Sequence, residues 1–405
     1  MTRLTADFFQ GNRERLAAKT GGLYVFSAYT KMQRTADEAS FFEQEANFWY
    51  LTGIDAPDWQ VIIDGTRGGK SWLVAPKVSA SHELFDGSLS HEEAHKLSGI
   101  KDILSPDDAD KLLRDLARHH SLVYALGDDP YAKYYDFSLN PAPKDVWRKL
   151  ERIFREVQDA RRDLAQLRAI KQPEEIAALK KAAKVTIDAF KSVKTKLPSL
   201  KHEYEVEAEF TYAFRKVGAT GHAYDPIVAA GSHATTMHYS ENSGPLKKNN
   251  LLLLDIGAKV DGYPADITRT YAVGTPTKRQ KQLHTAVEAA QKEIIKLLAP
   301  GVSVQGYHEE VDRIMKEALQ SLGLLSDPRD EQTYRRYFPH AISHGLGVDV
   351  HDSLGAPFEF KEGMVLTVEP GIYIPEEGIG VRIEDDILIT ATGHTNLTAA
   401  LPTGL

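Results

Sequence analysis

The sequence predicts an α+β protein of two domains: a small α/β domain, then a larger α+β domain that is internally duplicated. Three observations lead there. The 405 residues leave room for two or three domains at about 150 residues each. Short β-rich runs alternate with helical segments as far as about residue 160, as in a small α/β unit. Beyond that point a helix–helix–strands plan occurs twice, in units of about a hundred residues.

Taken in order, Leu23–Phe26, Val61–Ile63 and Ser71–Val74 are β-rich runs bounded by Gly, Asp and Lys, and read as strands. Asp110 to His119 and Val146 to Gln158 read as helices, because Leu112, Leu113 and Leu116, then Leu150, Ile153 and Phe154, recur at helical spacing. Pro173 followed by Glu174 and Glu175 marks a new helix start. The boundary therefore falls between Asp159 and Gln172, giving domains 1–165 and 166–405. In the second domain, helices Pro173–Leu197 and His202–Val217 precede strands Leu251–Asp255 and Tyr263–Val273. Helices Lys278–Leu298 and Val304–Leu322 then precede strands Met364–Glu369 and Gly380–Thr390.

Composition removes several functions. Lys+Arg of 49 against Asp+Glu of 57 gives a net charge of −8, too acidic to suggest a nucleic-acid partner. No run approaches the ~18 apolar residues of a membrane span, and Met1 to Leu16 lacks the apolar core of a secretory signal. The expectation is a cytoplasmic protein with neither membrane nor nucleic acid as partner. The chain has no cysteine, so disulfides, thiolate metal sites and a Cys nucleophile are excluded. Any metal must be held by oxygen and imidazole.

His91-Glu92-Glu93-Ala94-His95 matches a zinc-peptidase helix pattern. We read it instead as the first turn of a short surface helix. Ser90 and Glu93 form a capping box there, and the residues before it are polar rather than apolar.

The chemistry lies in the last third. Leu251-Leu252-Leu253-Leu254 is a buried-strand run ending on Asp255, and a buried acid is costly unless paired or metal-bound. Asp261-Gly262 is a hairpin turn signal. With those two residues as the loop, Asp255 pairs with Thr268, and Asp266 becomes its diagonal neighbour on the same face. Met364 to Val368 is a second apolar run, ending on Glu369. In Gly380–Thr390, Val381, Ile383, Ile387 and Ile389 share the core-facing parity, and Arg382, Glu384, Asp386 and Leu388 share the other. One such acid is as readily a salt-bridged structural residue; four together are not. Pro339 to Asp352 adds His340, His344 and His351, spaced by glycine and apolar residues. Carboxylates with imidazole and no sulfur suit Mn²⁺, Zn²⁺, Co²⁺ or Fe²⁺, and the carboxylate excess favours Mn²⁺. Four carboxylates balance two divalent ions, a common hydrolytic pair.

Asp255, Asp266, His344, Glu369 and Glu384, in this order, resemble the five metal ligands of the methionine aminopeptidase/aminopeptidase P/prolidase superfamily. Asp266 to Thr270, Ser343 to Asp352, Thr367 to Gly371 and Arg382 to Asp386 are similar to its proline-specific members. Asn47 to Gly53 resembles the N-terminal domain of aminopeptidase P and prolidase. The resemblance implies a pita-bread catalytic domain and hydrolysis of the Xaa-Pro bond in short proline-containing peptides. It implies that Asp255 chelates one of two ions, that His344 and Glu369 chelate the other, and that Asp266 and Glu384 bridge them. Glu369 would also act as general acid/base, His238 and His351 would steady the substrate and the tetrahedral intermediate, and His340 and Arg382 would line the proline pocket. A homo-oligomer, dimer or tetramer, is implied too. Ser343 leans towards an Xaa-Pro aminopeptidase; the alternative is an Xaa-Pro dipeptidase. A metal-free amidinohydrolase or a non-catalytic pita-bread binding module fits the five ligands less well.

Overall fold

The structure, a computed structural model, describes residues 4–127 and 138–405. The chain divides into two compact units, Met1–Leu167 and Arg168–Leu405. No helix among the described residues is long and apolar enough to cross a membrane.

The first unit is built on a six-stranded sheet in the order β4-β3-β2-β1-β5-β6. Its strands are Leu23–Ser27 (β1), Gln60–Asp64 (β2), Lys70–Val74 (β3), Ile103–Leu104 (β4), Leu122–Ala125 (β5) and Glu156–Asp159 (β6). The helix expected over Val146–Gln158 differs: it covers Ala142–Glu151, and the chain then turns to pair β6 parallel to β5. Hydrogen bonds of the sheet edge win there over the helical spacing of Leu150, Ile153 and Phe154. The helix expected from Asp110 begins earlier, at Pro106, because Ser105 caps it by accepting from the Asp108 amide. The Ser90–Glu93 capping box is present on the helix His91–Ser98, and His95 Nδ1 pairs with the carbonyl of Ile100 at 3.1 Å. The opening helix Ala6–Thr20 has no counterpart in the sequence reading.

The second unit repeats helix–helix–sheet, and each repeat has its own core. Helices Pro173–Lys196 and Glu203–Lys216 pack Phe190, Phe210 and Phe214 against Leu252, Leu254 and Ile267. Helices Lys278–Lys296 and Val304–Ser321 pack Leu283, Val287 and Met315 against Leu366, Val368 and Ile387. The strands of the first repeat are Gly221–His222 (β7), Ile227–Ala230 (β8), Leu251–Asp255 (β9), Ala258–Val260 (β10), Tyr263–Pro264 (β11) and Thr268–Ala272 (β12). Those of the second are Val365–Val368 (β13), Gly371–Ile374 (β14), Ile379–Arg382 (β15), Asp385–Thr390 (β16) and Gly393–Asn396 (β17).

The hairpin has the register read from its turn. Asp255 pairs with Thr268, Val260 with Tyr263, and Asp261 and Gly262 both have positive φ, 52° and 83°, as a type I′ turn requires. Two elements expected as single strands are broken. Tyr263–Val273 loses strand pairing at residues 265–267, and Gly380–Thr390 breaks at Ile383 and Glu384. The expected parity survives the break, since Val381, Ile383, Ile387 and Ile389 all enter the core. The breaks occur where the acids leave the sheet to face one another.

At the first break the backbones crowd. A Cβ on Gly257 would lie 1.7 Å from the carbonyl oxygen of Ala265, a contact that no rotamer change relieves. Gly257→Ala should therefore destabilise the protein by about 3 kcal/mol or more. Chemical denaturation checks this; a change within experimental error would show that the hairpin tolerates widening.

Candidate metal centre

Five elements of the second unit deliver the site. Asp255 ends β9, Asp266 precedes β12, Glu369 follows β13, and Glu384 occupies the turn between β15 and β16. His344 lies on the loop before β13, where its amide donates to Thr367 Oγ1 at 3.1 Å and its carbonyl accepts from the Thr367 amide at 2.9 Å. The Glu384 amide donates to the Thr268 carbonyl at 3.1 Å, so the two repeats are hydrogen-bonded at the point where their acids meet.

Asp266, His344 and Glu384 each offer a ligand atom within 4.8 Å of the others. Asp255 shares a partner with Asp266: the Tyr224 hydroxyl lies 2.7 Å from Asp255 Oδ1 and 2.6 Å from Asp266 Oδ1. One hydroxyl proton can serve only one of these oxygens at a time. The His344 ring donates from Nδ1 to the Gly345 carbonyl at 3.0 Å, which turns the Nε2 lone pair towards Asp266 Oδ2 and Glu369 Oε1, each at 3.5 Å. A lone pair facing two carboxylate oxygens is repulsive unless a cation or a proton lies between them. The backbone carbonyl fixing the other ring nitrogen is the usual support of a metal-ligating histidine. The donor set thus fits a divalent cation centre.

Electrostatics agree. Burial pushes Asp266 and Glu384 well above the carboxylate range, and the neighbouring acids, Asp255 first for Asp266 and Asp266 first for Glu384, push them further. Burial also raises Glu369 to about 8, against the pull of the Arg382 cation. The His344 imidazole is pushed down to about 4 by burial and by the neighbouring His351, so it is neutral, as a ligand must be.

A second layer fixes these groups. Thr268 Oγ1 donates to Glu384 Oε2 at 2.7 Å. The Asp266 amide donates to Asp386 Oδ2 at 3.2 Å. The fully buried Arg269 donates to the carbonyls of Thr268 and Glu384 at 2.9 and 2.6 Å and pairs with Asp385 at 2.7 Å. Arg382 reaches Asp255 Oδ2 at 2.5 Å and the Tyr373 hydroxyl at 2.9 Å.

A model of metallopeptidase family M24 matches residues 177–391, and one of the aminopeptidase P N-terminal domain matches residues 9–124. The chain belongs to the M24 metallopeptidases. This M24 chain is 32% identical to the Xaa-Pro aminopeptidase of Haemophilus influenzae, over 99% of its length and 96% of the relative's. Among solved structures it resembles the proline aminopeptidase P II of Yersinia pestis, with 33% identity, 99% and 97% of the two chains covered and a TM-score of 0.84. A zinc-substituted Escherichia coli aminopeptidase P in complex with product is similar, at 31% identity, the same coverage and a TM-score of 0.84.

The other sequence-named residues of this M24 metallopeptidase surround the centre. His351 stacks on His344, with ring centroids 4.0 Å apart at 14°. His340 Nδ1 lies 3.6 Å from Glu369 Oε2, and its Nε2 contacts the Tyr373 hydroxyl at 2.8 Å. Burial pushes His340 down to about 4, with the Arg382 charge adding to it. His238 is exposed, and its charge bears on His340 and His351. Arg382, expected to line a pocket, has its guanidinium against Asp255 and Tyr373. Tyr224, Thr268, Tyr373 and Asp386 carry no role in the sequence reading. Tyr224 follows a two-residue strand and has no periodicity to mark it, whereas Asp386 was visible as a third acid beside Glu384 and Asp385.

These shifts set a pH dependence. Glu369 ordinarily titrates near 4.5 and here near 8, so between those values the folded protein holds a proton that the unfolded chain releases, and stability falls as pH rises. The neutral histidines act oppositely, but only below their ordinary value of 6.5. From about pH 7 to about pH 9 the acids set the slope. The Tm of metal-stripped protein should fall over that range, and saturating Mn²⁺, which binds the folded state, should abolish the fall. A metal-stripped Tm that is flat or rises would contradict the assignment.

Proposed function

We propose that this metallopeptidase is an Xaa-Pro aminopeptidase, releasing the N-terminal residue from short peptides whose second residue is proline. One observation carries the reading: Asp266, His344 and Glu384 offer ligand atoms within 4.8 Å of one another, with Glu369 and Asp255 beside them, in a chain that matches an Xaa-Pro aminopeptidase over 99% of its length. Asp255, Asp266, His344, Glu369 and Glu384 are the residues that would hold two divalent ions, in the first instance Mn²⁺. Bound ions of this kind polarise the scissile carbonyl and bring the pKa of a water near neutrality.

The protein groups do the rest. An Xaa-Pro bond is a tertiary amide with no N–H, so its leaving nitrogen must be protonated as the bond breaks. Glu369, whose Oε1 lies 3.5 Å from His344 Nε2 at the centre, is placed for both halves of that transfer. It accepts the proton of the attacking water and returns it to the prolyl nitrogen, which leaves as a secondary amine. Thr367 Oγ1, 3.3 Å from Glu369 Oε1, orients the carboxylate. His238 and His351 steady the substrate carbonyl and the tetrahedral intermediate. His340 and Arg382, both in contact with the Tyr373 hydroxyl, form one wall for the pyrrolidine ring. The same reading includes a homo-oligomer, dimer or tetramer, working in the cytoplasm.

Assay of Xaa-Pro and Xaa-Pro-Yaa peptides tests this. Both should be cleaved, the tripeptide well, and a chelator should abolish cleavage until Mn²⁺ is restored. Cleavage of the dipeptide alone would make the enzyme a dipeptidase instead. Glu369→Gln should lower kcat by roughly 10²- to 10⁴-fold, with KM much less affected; a variant at wild-type kcat would remove Glu369 from the proton path.

A further inference from the structure

Glu203 is a buried acid that the mechanism above does not use. It opens the helix Glu203–Lys216 and is fully buried. Each carboxylate oxygen takes two donors. Oε1 accepts from the Ala230 amide at 2.7 Å and from His233 Nδ1 at 2.9 Å. Oε2 accepts from the Tyr239 hydroxyl at 2.8 Å and from the Gly244 amide at 2.6 Å. The Glu203 amide in turn donates to the Gly244 carbonyl at 2.9 Å.

All four donors belong to one segment, residues 230–244, which begins at the last residue of β8, and they are spread along its whole length. Inside the loop the His233 and Tyr239 rings stack, with centroids 4.4 Å apart. Gly244 is obligatory, because a Cβ there would lie 2.5 Å from the His233 ring and 2.9 Å from Glu203 Oε2. Asn242 ties the same loop again. Its Oδ1 accepts from the Val228 amide at 2.9 Å, and its Nδ2 donates to Glu207 Oε2 at 2.8 Å.

His238 is the neighbour of Tyr239 on this loop, and it is exposed. Packing of its own ring therefore does not decide where it points; the loop backbone does. We propose that Glu203 is a positioning residue that acts through His238, its carboxylate being the pin on which the His238 loop is folded. A buried carboxylate with four donors is a strong fixing point, since removing it leaves those donors unsatisfied.

The proposal rests on the reading of His238 as a group that meets substrate, and a double-mutant cycle separates the two. His238→Ala, Glu203→Gln and the double variant are assayed for kcat and KM on an Xaa-Pro-Yaa tripeptide, with Mn²⁺ affinity by calorimetry and Tm alongside. The glutamine keeps the shape but turns one acceptor into a donor facing two donors. Expected are a loss in kcat of about 10²-fold for His238→Ala and of roughly 10- to 100-fold for Glu203→Gln, with Mn²⁺ affinity unchanged. The double variant should be no slower than His238→Ala, because Glu203 has nothing left to position. Tyr239→Phe removes one of the four bonds and should give a smaller loss of the same kind, which tests the idea even if Glu203→Gln does not fold. Losses that multiply in the double variant, or wild-type kcat in Glu203→Gln and Tyr239→Phe, would overturn the role of Glu203. Wild-type kcat in His238→Ala would instead overturn the reading of His238 beneath it.

Discussion

Asp266, Glu384 and the lone pair of His344 are directed at one point with Glu369 and Asp255 beside them, and the surrounding protein groups neutralise only part of this charge. Arg382 answers Asp255, and Tyr224 has one proton for two oxygens. What remains is negative charge in a place poor in water, where isolated charge is very costly. Divalent cations resolve this, and much of the second unit can be understood as the apparatus that holds the acids together until the cations arrive. Without them Asp266, Glu369 and Glu384 are pushed towards their protonated forms.

The duplication serves this constraint. A single hairpin supplies two acids close together, Asp255 and Asp266, because the two-residue turn fixes its register and Gly257 lets its strands cross closely. The second repeat supplies Glu369 and Glu384 from the ends of its strands. The repeats are locked by the Glu384 amide on Thr268, by Thr268 Oγ1 on Glu384, and by Arg269 across both backbones. Arg269 and Asp385 form a buried pair, and Asp385 is further satisfied by Gln291 and Thr398, each at 2.5 Å. A buried ion pair contributes little by itself; here it fixes the carbonyls of Thr268 and Glu384, the two residues at which the repeats meet.

Much of this was legible in the sequence because local rules decide it. Asp261-Gly262 fixed the hairpin register, and the apolar runs Leu251–Leu254 and Met364–Val368 exposed the acids at their ends. Alternation from Val381 to Ile389 gave the core face correctly. Other features depend on distant partners. The break at Ile383 and Glu384 follows from a hydrogen bond to Thr268, more than a hundred residues away, and the helix ending at Glu151 yields to a sheet edge. Tyr224 and Glu203 act through folding of the chain back on itself. A lone Tyr in a loop and a Glu at a helix start have ordinary explanations in sequence, so neither stood out.

The most direct measurement is metal stoichiometry. Protein stripped with a chelator, equilibrated with Mn²⁺, freed of excess ion and analysed for its elements should retain two equivalents per chain. Asp266→Asn, which removes a carboxylate that we propose both ions would share, should retain fewer. Protein that retains no ion, or an Asp266→Asn variant that still holds two, would contradict the central claim that these acids exist to bind a metal pair.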